Sequence, residues 1–243
     1  MTILELRNVN KYFGGLHALK HIDLSIEEGS IIGLVGDNAA GKSTLVKSIT
    51  GAVAPDTGRI VFQGSDLRYG DPYSTRQFGI EMIYQHLNLC LQFDVTANIF
   101  LGRELRISLK GMQLPFLAHH LMARRAQSVI DRLNAEISVN TMTGVLSGGQ
   151  QQTVAIARAI LFTPKLLIMD EPTAALGVRE VLCVLQVIHR LKAEGMTIIL
   201  ISHRLADIFE VADRIVFMRR GEIRADKAIY ETTLSEVNEM LIS

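Results

Sequence analysis

The nine residues from Gly36 to Thr44, Gly-Asp-Asn-Ala-Ala-Gly-Lys-Ser-Thr, constrain the fold more than any other stretch. An apolar run, residues 31–35, precedes them, and a helical pattern, residues 45–49, follows and stops at Gly51. This is the G-x-x-x-x-G-K-[ST] phosphate loop, placed between a strand and a helix. Glycines permit the sharp turn, and the N–H groups that open the helix form an anion nest. The sequence therefore predicts a nucleoside triphosphate site, although glycine-rich turns also precede helices without binding an anion.

Particular residues of this loop have predictable roles. Lys42 can reach the terminal phosphates, and Ser43 can ligate the Mg²⁺ that bridges them. We expect the whole loop to contact the nucleotide through Gly36, Asp37, Asn38, Ala39, Ala40, Gly41, Lys42, Ser43 and Thr44.

Two carboxylates follow a second apolar run. Residues 166–169 form a continuous apolar stretch typical of a buried parallel strand, and Asp170 and Glu171 come directly after it. Ligands of open α/β sheets bind at the carboxyl ends of the strands. We expect Asp170 to support Mg²⁺ and Glu171 to act as the base that polarises water for attack on the γ-phosphate. The alternative is a carboxylate that caps the next loop.

A glycine pair opens another helical stretch. Ser147 in Leu-Ser-Gly-Gly-Gln, residues 146–150, is a natural N-cap for the helix that continues to Leu161. The two glycines weaken a helix, but they can offer exposed N–H groups to an anion. A simple loop-to-helix transition explains the pattern equally well.

Three further side chains are ambiguous from the sequence alone. His203 follows an apolar strand pattern, residues 197–201, and is either a structural histidine or a neighbour of the phosphate site. Gln85 ends a strand pattern, residues 79–85, which a solvated strand end also explains. Phe13 sits in an expected loop between the first two strands, where packing is the usual role of an aromatic ring.

Hydrophobic periodicity predicts the fold class. Residues 3–62 alternate with period two between turns, as in a half-exposed antiparallel sheet. Helical periodicity replaces this alternation from about residue 94 to 145, with helices expected at 95–100 and 121–133 and a break between them at Lys110 and Gly111. Residues 94–160 are expected to be a helical insert. A later amphipathic helix, residues 178–194, has a shared apolar face made of Val181, Leu182, Leu185, Ile188 and Leu191. We predict an α/β fold: a P-loop NTPase core with a mainly parallel sheet, an N-terminal antiparallel β subdomain and a helical insert.

Composition narrows the function. The 25 basic and 25 acidic residues balance, which argues weakly against a nucleic-acid partner. No apolar run approaches the roughly 20 residues that span a bilayer, so a membrane link is expected to pass through a partner. The N-terminus lacks the pattern of a signal peptide. Cys90 and Cys183 match no metal spacing and are expected to be buried free thiols.

The order of these motifs resembles the ATP-binding cassette family, the ATPase subunits of membrane transporters. The resemblance covers nearly the whole chain, as one cassette domain over residues 1–243 with its helical subdomain at about 94–160. It implies ATP and Mg²⁺ as ligands, with Ser43, Gln85 and Asp170 toward the metal. It further implies that Phe13 stacks on adenine, that Gln85 senses the attacking water, that Glu171 is the catalytic base and that His203 contacts the γ-phosphate. The signature that contacts the nucleotide of a second subunit would be Ser147, Gly148, Gly149 and Gln150.

Residues 98–104 and 171–177 resemble the ATPases of bacterial monosaccharide importers, particularly their single-cassette, fructose- or ribose-type members. Gly177 departs from the aspartate usual in cassettes, which puts one contact between subunits in doubt. The resemblance implies a head-to-tail dimer at the cytoplasmic face of the inner membrane, bound peripherally to permease subunits and served by a solute-binding protein. Import of another solute, export, and a cassette ATPase without a membrane partner are the alternatives.

Overall fold

The computed structural model describes residues 1–70, 72–109 and 112–242. The strands of this part of the chain are β1 (Thr2–Phe13), β2 (Leu16–Glu27), β3 (Ile31–Gly36), β4 (Thr57–Phe62), β5 (Ser65–Asp66), β6 (Ile80–Ile83), β7 (Arg106–Leu109), β8 (Met112–Leu117), β9 (Leu166–Asp170), β10 (Thr197–Ile201), β11 (Arg214–Arg219) and β12 (Glu222–Ala228). The α-helices are α1 (Lys42–Ile49), α2 (Pro72–Gln77), α3 (Val95–Phe100), α4 (His119–Arg132), α5 (Gly148–Ile160), α6 (Val178–Ala193), α7 (Leu205–Val211) and α8 (Leu234–Ile242).

A six-stranded sheet holds the elements that carry the predicted site. Its strand order is β12-β11-β3-β10-β9-β6, with every neighbouring pair parallel except β11 and β12. The predicted α/β fold with a mainly parallel sheet is therefore confirmed. Because β3, β9 and β10 run side by side in the same direction, the segments that follow them meet at one edge of the sheet.

This sheet is buried on both faces. In β10, Ile198 and Leu200 pack into a core with helices α3 to α7, whereas Ile199 and Ile201 pack into a second core with α1 and the antiparallel sheet. Successive side chains of a strand point to opposite faces, so one strand supplies both cores. The continuous apolar runs of the sequence arise from this double burial.

The N-terminal segment forms the predicted antiparallel sheet, in the order β2-β1-β4-β5. The expected loop around Phe13 is wrong in one respect, since β1 continues through Phe13 and the turn to β2 is limited to Gly14 and Gly15. Pairing of Phe13 with Leu16 extends the hairpin to its tip. The aromatic ring therefore leaves from a strand end rather than from a free loop.

The insert between β6 and β9 is not wholly helical. Helix α3 has the predicted bounds and α4 lies close to the expected helix, but β7 and β8 pair as an antiparallel hairpin between them. The expected helical structure is wrong for this part of the insert, because Arg106, Ile107 and Ser108 are extended in β7. The break expected at Lys110 and Gly111 lies outside the described residues.

Helix α6 ends before Gly195, whose positive φ of 80° suits a helix stop. Two predictions about this helix are wrong. Leu182 is 55% exposed and Val184 takes its place on the buried face, and Cys183 is exposed rather than buried. No helix in the three described ranges combines the length and the apolar character that crossing a bilayer requires.

Candidate nucleotide site

The phosphate loop is held in a backbone shape that only glycine can adopt at two positions. Gly36 has a φ of 150° and Gly41 a φ of 104°. A Cβ atom on Gly36 would lie 2.1 Å from the carbonyl oxygen of Met218, and one on Gly41 would lie 2.8 Å from that of Ala18. The glycines therefore serve both the turn and the close approach of neighbouring backbone.

A hairpin turn that the sequence did not assign to the site supports this loop. The Gly221 N–H donates to the Ala40 carbonyl at 2.9 Å, and the Lys20 N–H donates to the Gly221 carbonyl at 2.7 Å. Gly221 thus links β2 to the phosphate loop from the turn between β11 and β12. Its one signal in the sequence was a glycine in a turn, which did not indicate the long-range contact.

Lys42 points its ammonium group into the loop. Its Nζ atom donates to the carbonyl oxygen of Asp37 at 3.0 Å and to that of Gly36. Burial lowers the pKa of Lys42, and the nearby carboxylates of Glu171 and Asp170 oppose this shift. The half-buried ammonium group of Lys42 donates only to neutral carbonyl oxygens here, so it can form a stronger, charge-assisted hydrogen bond with an incoming phosphate oxygen.

The carboxylates lie where the sequence predicts, at the carboxyl end of β9. Burial raises the pKa of Asp170, and the negative charge of Glu171 raises it further, whereas Lys42 lowers it. Glu171 has a positive φ of 52°, and its N–H donates to the Ile201 carbonyl at 2.9 Å. Its Oε2 atom lies 2.7 Å from Nδ1 of His203, so the structure brings these two predicted residues together.

One cavity of about 500 Å³ collects most of the predicted residues. Its lining includes Phe13, Asp37, Asn38, Ala39, Ala40, Gly41, Lys42, Ser43, Thr44, Gln85, Asp170 and Glu171. No cluster of three or more histidine, cysteine or acidic side chains suited to a metal occurs among the described residues. The side-chain oxygens of Ser43, Gln85 and Asp170 in the cavity lining fit Mg²⁺, which binds through one or two protein oxygens and the phosphates of a nucleotide.

Two aromatic side chains, those of Phe13 and His17, also belong to the lining of this cavity. The ring of Phe13 is 49% exposed, and Nζ of Lys11 lies 5.4 Å from its centroid. His17 also lines the cavity and stacks on Tyr12 with ring centroids 4.0 Å apart. His17 was not predicted, since a single histidine in a hairpin carries no distinctive pattern.

The Leu-Ser-Gly-Gly-Gln segment is not part of this lining. Ser147 caps α5: its Oγ atom accepts from the Gln150 N–H at 3.3 Å, and the Ser147 N–H donates to Oε1 of Gln150 at 3.0 Å. Ser147, Gly149 and Gln150 line a separate cavity of about 760 Å³, together with residues 133–137, which follow α4, and residues of α6 between Arg179 and Arg190. Within one chain, the Leu-Ser-Gly-Gly-Gln segment therefore lines a different cavity from the one that the phosphate loop lines.

The glycines at the start of α5 have a packing role. A Cβ atom on Gly148 would lie 2.9 Å from Cδ2 of Leu176, and one on Gly149 would lie 3.0 Å from Cβ of Glu180. Within this chain the Gly149 N–H is not free, because it donates to Oε1 of Glu180 at 3.1 Å. Helix α6 can approach α5 this closely only because Gly148 and Gly149 have no side chains. The same helix supplies Glu180, the acceptor of the Gly149 N–H.

The sheet, the phosphate loop and the carboxylates define an α/β phosphate-loop protein that binds a nucleoside triphosphate. The protein-family model described as ABC transporter matches residues 19–174. The chain belongs to this family, and it is an ATP-binding cassette ATPase.

Curated relatives cover most of the chain. It is 40% identical to the xylose/arabinose import ATP-binding protein XylG of Sulfolobus acidocaldarius, over 99% of this chain and 94% of that protein. It is 42% identical to the fructose import ATP-binding protein FrcA of Rhizobium meliloti, over 90% of this chain and 85% of that protein. The ribose import ATP-binding protein RbsA of Geobacillus kaustophilus is 38% identical over 99% of this chain, which spans 48% of the length of that relative.

Solved cassette structures have the same fold. The ADP conformation of MJ1267, an ATP-binding cassette of an ABC transporter, aligns with a TM-score of 0.87 at 28% identity, covering 100% of this chain and 99% of that one. A dimeric, post-hydrolysis structure of the cassette MJ0796 bound to ADP and Pi aligns with a TM-score of 0.76 at 26% identity, covering 93% of this chain and 99% of that one.

Proposed function

We propose that this chain binds and hydrolyses ATP to power uptake of a sugar, a monosaccharide, through a separate permease. The observation that carries the proposal is the single cavity in which the phosphate loop, Asp170, Glu171 and Gln85 meet. The sugar is supported by relatives named for the import of xylose and arabinose, fructose and ribose.

The proposed roles follow from positions in the cavity. The phosphate loop and Lys42 bind the triphosphate, and the exposed ring of Phe13 offers a face for the adenine. Ser43, Asp170 and Gln85 would hold Mg²⁺, which neutralises charge on the β- and γ-phosphates when it is bound. Glu171 accepts the proton of the attacking water, and His203 fixes the carboxylate of Glu171 through the 2.7 Å contact between their side chains.

We further propose that each hydrolytic centre is completed by a second copy of the chain. Ser147, Gly148, Gly149 and Gln150 would contact the nucleotide of the partner in a head-to-tail dimer. Two observations support this pairing: Ser147, Gly149 and Gln150 line a cavity other than the nucleotide cavity, and the similar cassette MJ0796 forms a dimer. In a C₂ dimer, the signature of each chain would face the nucleotide cavity of the other chain, so the same contact is made at two sites.

The assembly that we propose is peripheral, at the cytoplasmic face of the cell membrane. Residues 1–243 would act as one cassette domain, with a mainly helical subdomain at about residues 94–160. A solute-binding protein would deliver the sugar, and nucleic acid has no part in the function. Gly177 has no side chain with which to make the contact expected of an aspartate there.

Trapping the dimer tests the pairing. Glu171→Gln should keep ATP binding, reduce phosphate release by roughly 10²–10⁴-fold and convert the chain to a dimer in ATP, seen by sedimentation. A variant that hydrolyses ATP at the wild-type rate would refute the role of Glu171. Sugar uptake into proteoliposomes that contain the permease, tested with xylose, arabinose, ribose and fructose, decides the substrate; ATP-driven uptake of none of them would contradict the sugar assignment.

A further inference from the structure

The carboxylate of Glu180 in α6 connects the start of α6 to the start of α5, the helix that carries the signature residues. Oε1 of Glu180 accepts from the Gly149 N–H at 3.1 Å, and Oε2 accepts from the Gly177 N–H at 3.0 Å. Both donors are N–H groups at helix starts, which have no partner within their own helix. These backbone contacts hold the pKa of Glu180 below its usual value, so the group is an anion at neutral pH.

The two contacts have different meanings. The bond to Gly177 is a local cap, because Glu180 is the third residue of α6 and reaches back to the residue before the helix. The bond to Gly149 crosses 31 residues and places a negative charge on the amide at the start of α5. A helix cap does not need this second contact.

We propose that Glu180 is an internal anion that occupies the Gly149 amide and must release it when the γ-phosphate of ATP on a second copy binds there. This inference rests on the proposed pairing of two chains. A carboxylate and a phosphate oxygen compete for the same donor, since an amide N–H makes one strong charge-assisted hydrogen bond. Glu180 therefore sets the ATP concentration at which two chains associate.

Substitution by glutamine separates the two contacts. Gln at the third helical position still forms a cap, so Glu180→Gln removes the charge and keeps the local structure. In a Glu171→Gln background, we expect the ATP concentration for half-maximal dimerisation to fall about fivefold, because the one acceptor oxygen of glutamine caps Gly177 and its Nε2 group cannot accept from the Gly149 N–H. ATP affinity of the dilute monomer should not change, since Glu180 is not in the lining of the nucleotide cavity.

A matched control and a second variant keep the test decisive. Glu136 is an exposed carboxylate that lines the same 760 Å³ cavity, and Glu136→Gln should leave the midpoint of dimerisation where it was. Glu180→Asp keeps the charge but is one methylene too short to bridge both amides, so it should also lower the midpoint. If only Glu180→Gln lowers the midpoint, long-range repulsion is the cause and direct competition is refuted.

The remaining outcomes are equally clear. A midpoint that is unchanged or raised by Glu180→Gln, with the melting temperature preserved, overturns the proposal, because Glu180 would then support the signature instead of blocking it. If Glu171→Gln alone stays monomeric at saturating ATP, the pairing itself is wrong. Sedimentation at fixed protein concentration and increasing ATP distinguishes these cases.

Discussion

His203 Nδ1 lies 2.7 Å from Oε2 of Glu171, although the two residues follow different strands of the sheet. The histidine side chain is 69% exposed and the glutamate 15%, so the contact joins a solvent-facing ring to a nearly buried carboxylate. Adjacent parallel strands, β9 and β10, place both residues at the same edge. The contact makes the orientation of the proposed base depend on His203.

We therefore expect His203→Ala to lower ATP turnover by about 10²-fold, because an unoriented carboxylate is misplaced for the attacking water. Adding His203→Ala to Glu171→Gln should cost little more than Glu171→Gln alone, since groups that act as a unit are not additive. Phosphate release at saturating ATP measures both. His120→Ala is the matched control: His120 is exposed on α4 and lines neither the nucleotide cavity nor the 760 Å³ cavity, so its loss should leave turnover unchanged. If the losses of turnover from the two substitutions add up in the double variant, His203 does not act through Glu171.

The lowered pKa of Lys42 predicts how ATP affinity depends on pH. Burial disfavours the charged form, so the side chain of the free protein loses its proton below the ordinary value of 10.5. ATP binds the charged form; affinity is therefore complete below this lowered pKa and falls as the pH rises through it. Calorimetry at increasing alkaline pH should show that the decline sets in below the ordinary value of 10.5. Lys42→Arg stays charged over this range, so a similar decline in that variant would refute the assignment.

Much of this site follows from sequence because its parts are local. The phosphate loop needs only its neighbouring strand and helix, and the carboxylates need only the end of a strand, so spacing along the chain locates them. The contacts of Glu180 with Gly149 and of Gly221 with Ala40 join residues 31 and 181 positions apart. No periodicity within a segment records such a contact.

The fold was predictable to a similar extent. Apolar runs identified β3, β9 and β10, because double burial leaves few polar residues in them. The hairpin of β7 and β8 was missed, since its strands are short and Phe116 in β8 is 63% exposed. None of the hairpin residues whose burial is described, 106–108 and 114–117, is buried, so no buried face among them imposes a period of two.

Gly36 gives a direct test of the loop geometry. Gly36→Ala should destabilise the fold and abolish high-affinity ATP binding, because the added Cβ would lie 2.1 Å from the carbonyl oxygen of Met218. Gly64 is the control: it has a φ of 77° with no atom within 4 Å of a built Cβ, so Gly64→Ala introduces backbone strain alone. We expect Gly64→Ala to cost about 1–2 kcal/mol and to leave ATP affinity intact. Equal effects of the two variants in thermal unfolding and calorimetry would show that the collision is relieved.

Asn98 joins three segments around the signature. This fully buried side chain accepts from the Cys90 N–H at 2.7 Å and donates to Thr143 Oγ1 at 2.9 Å and to the Asp94 carbonyl at 3.1 Å. Cys90 follows Gln85 in the chain and Thr143 precedes Ser147, so one amide couples the neighbourhoods of both. Replacement by alanine leaves buried polar groups without partners, each at a cost of about 1–3 kcal/mol.

We therefore expect Asn98→Ala to lower the free energy of unfolding by about 3 kcal/mol in urea titrations. Asn238 is exposed on α8, and Asn238→Ala should change this free energy by less than about 0.5 kcal/mol. Asn98→Asp keeps the acceptor for the Cys90 N–H but replaces both donors, so its loss of stability should approach that of alanine, because the carbonyl oxygens of Cys90 and Asp94 then face an anion. A loss below about 1 kcal/mol in Asn98→Ala would mean that water replaces the amide and that the three segments are not coupled through it.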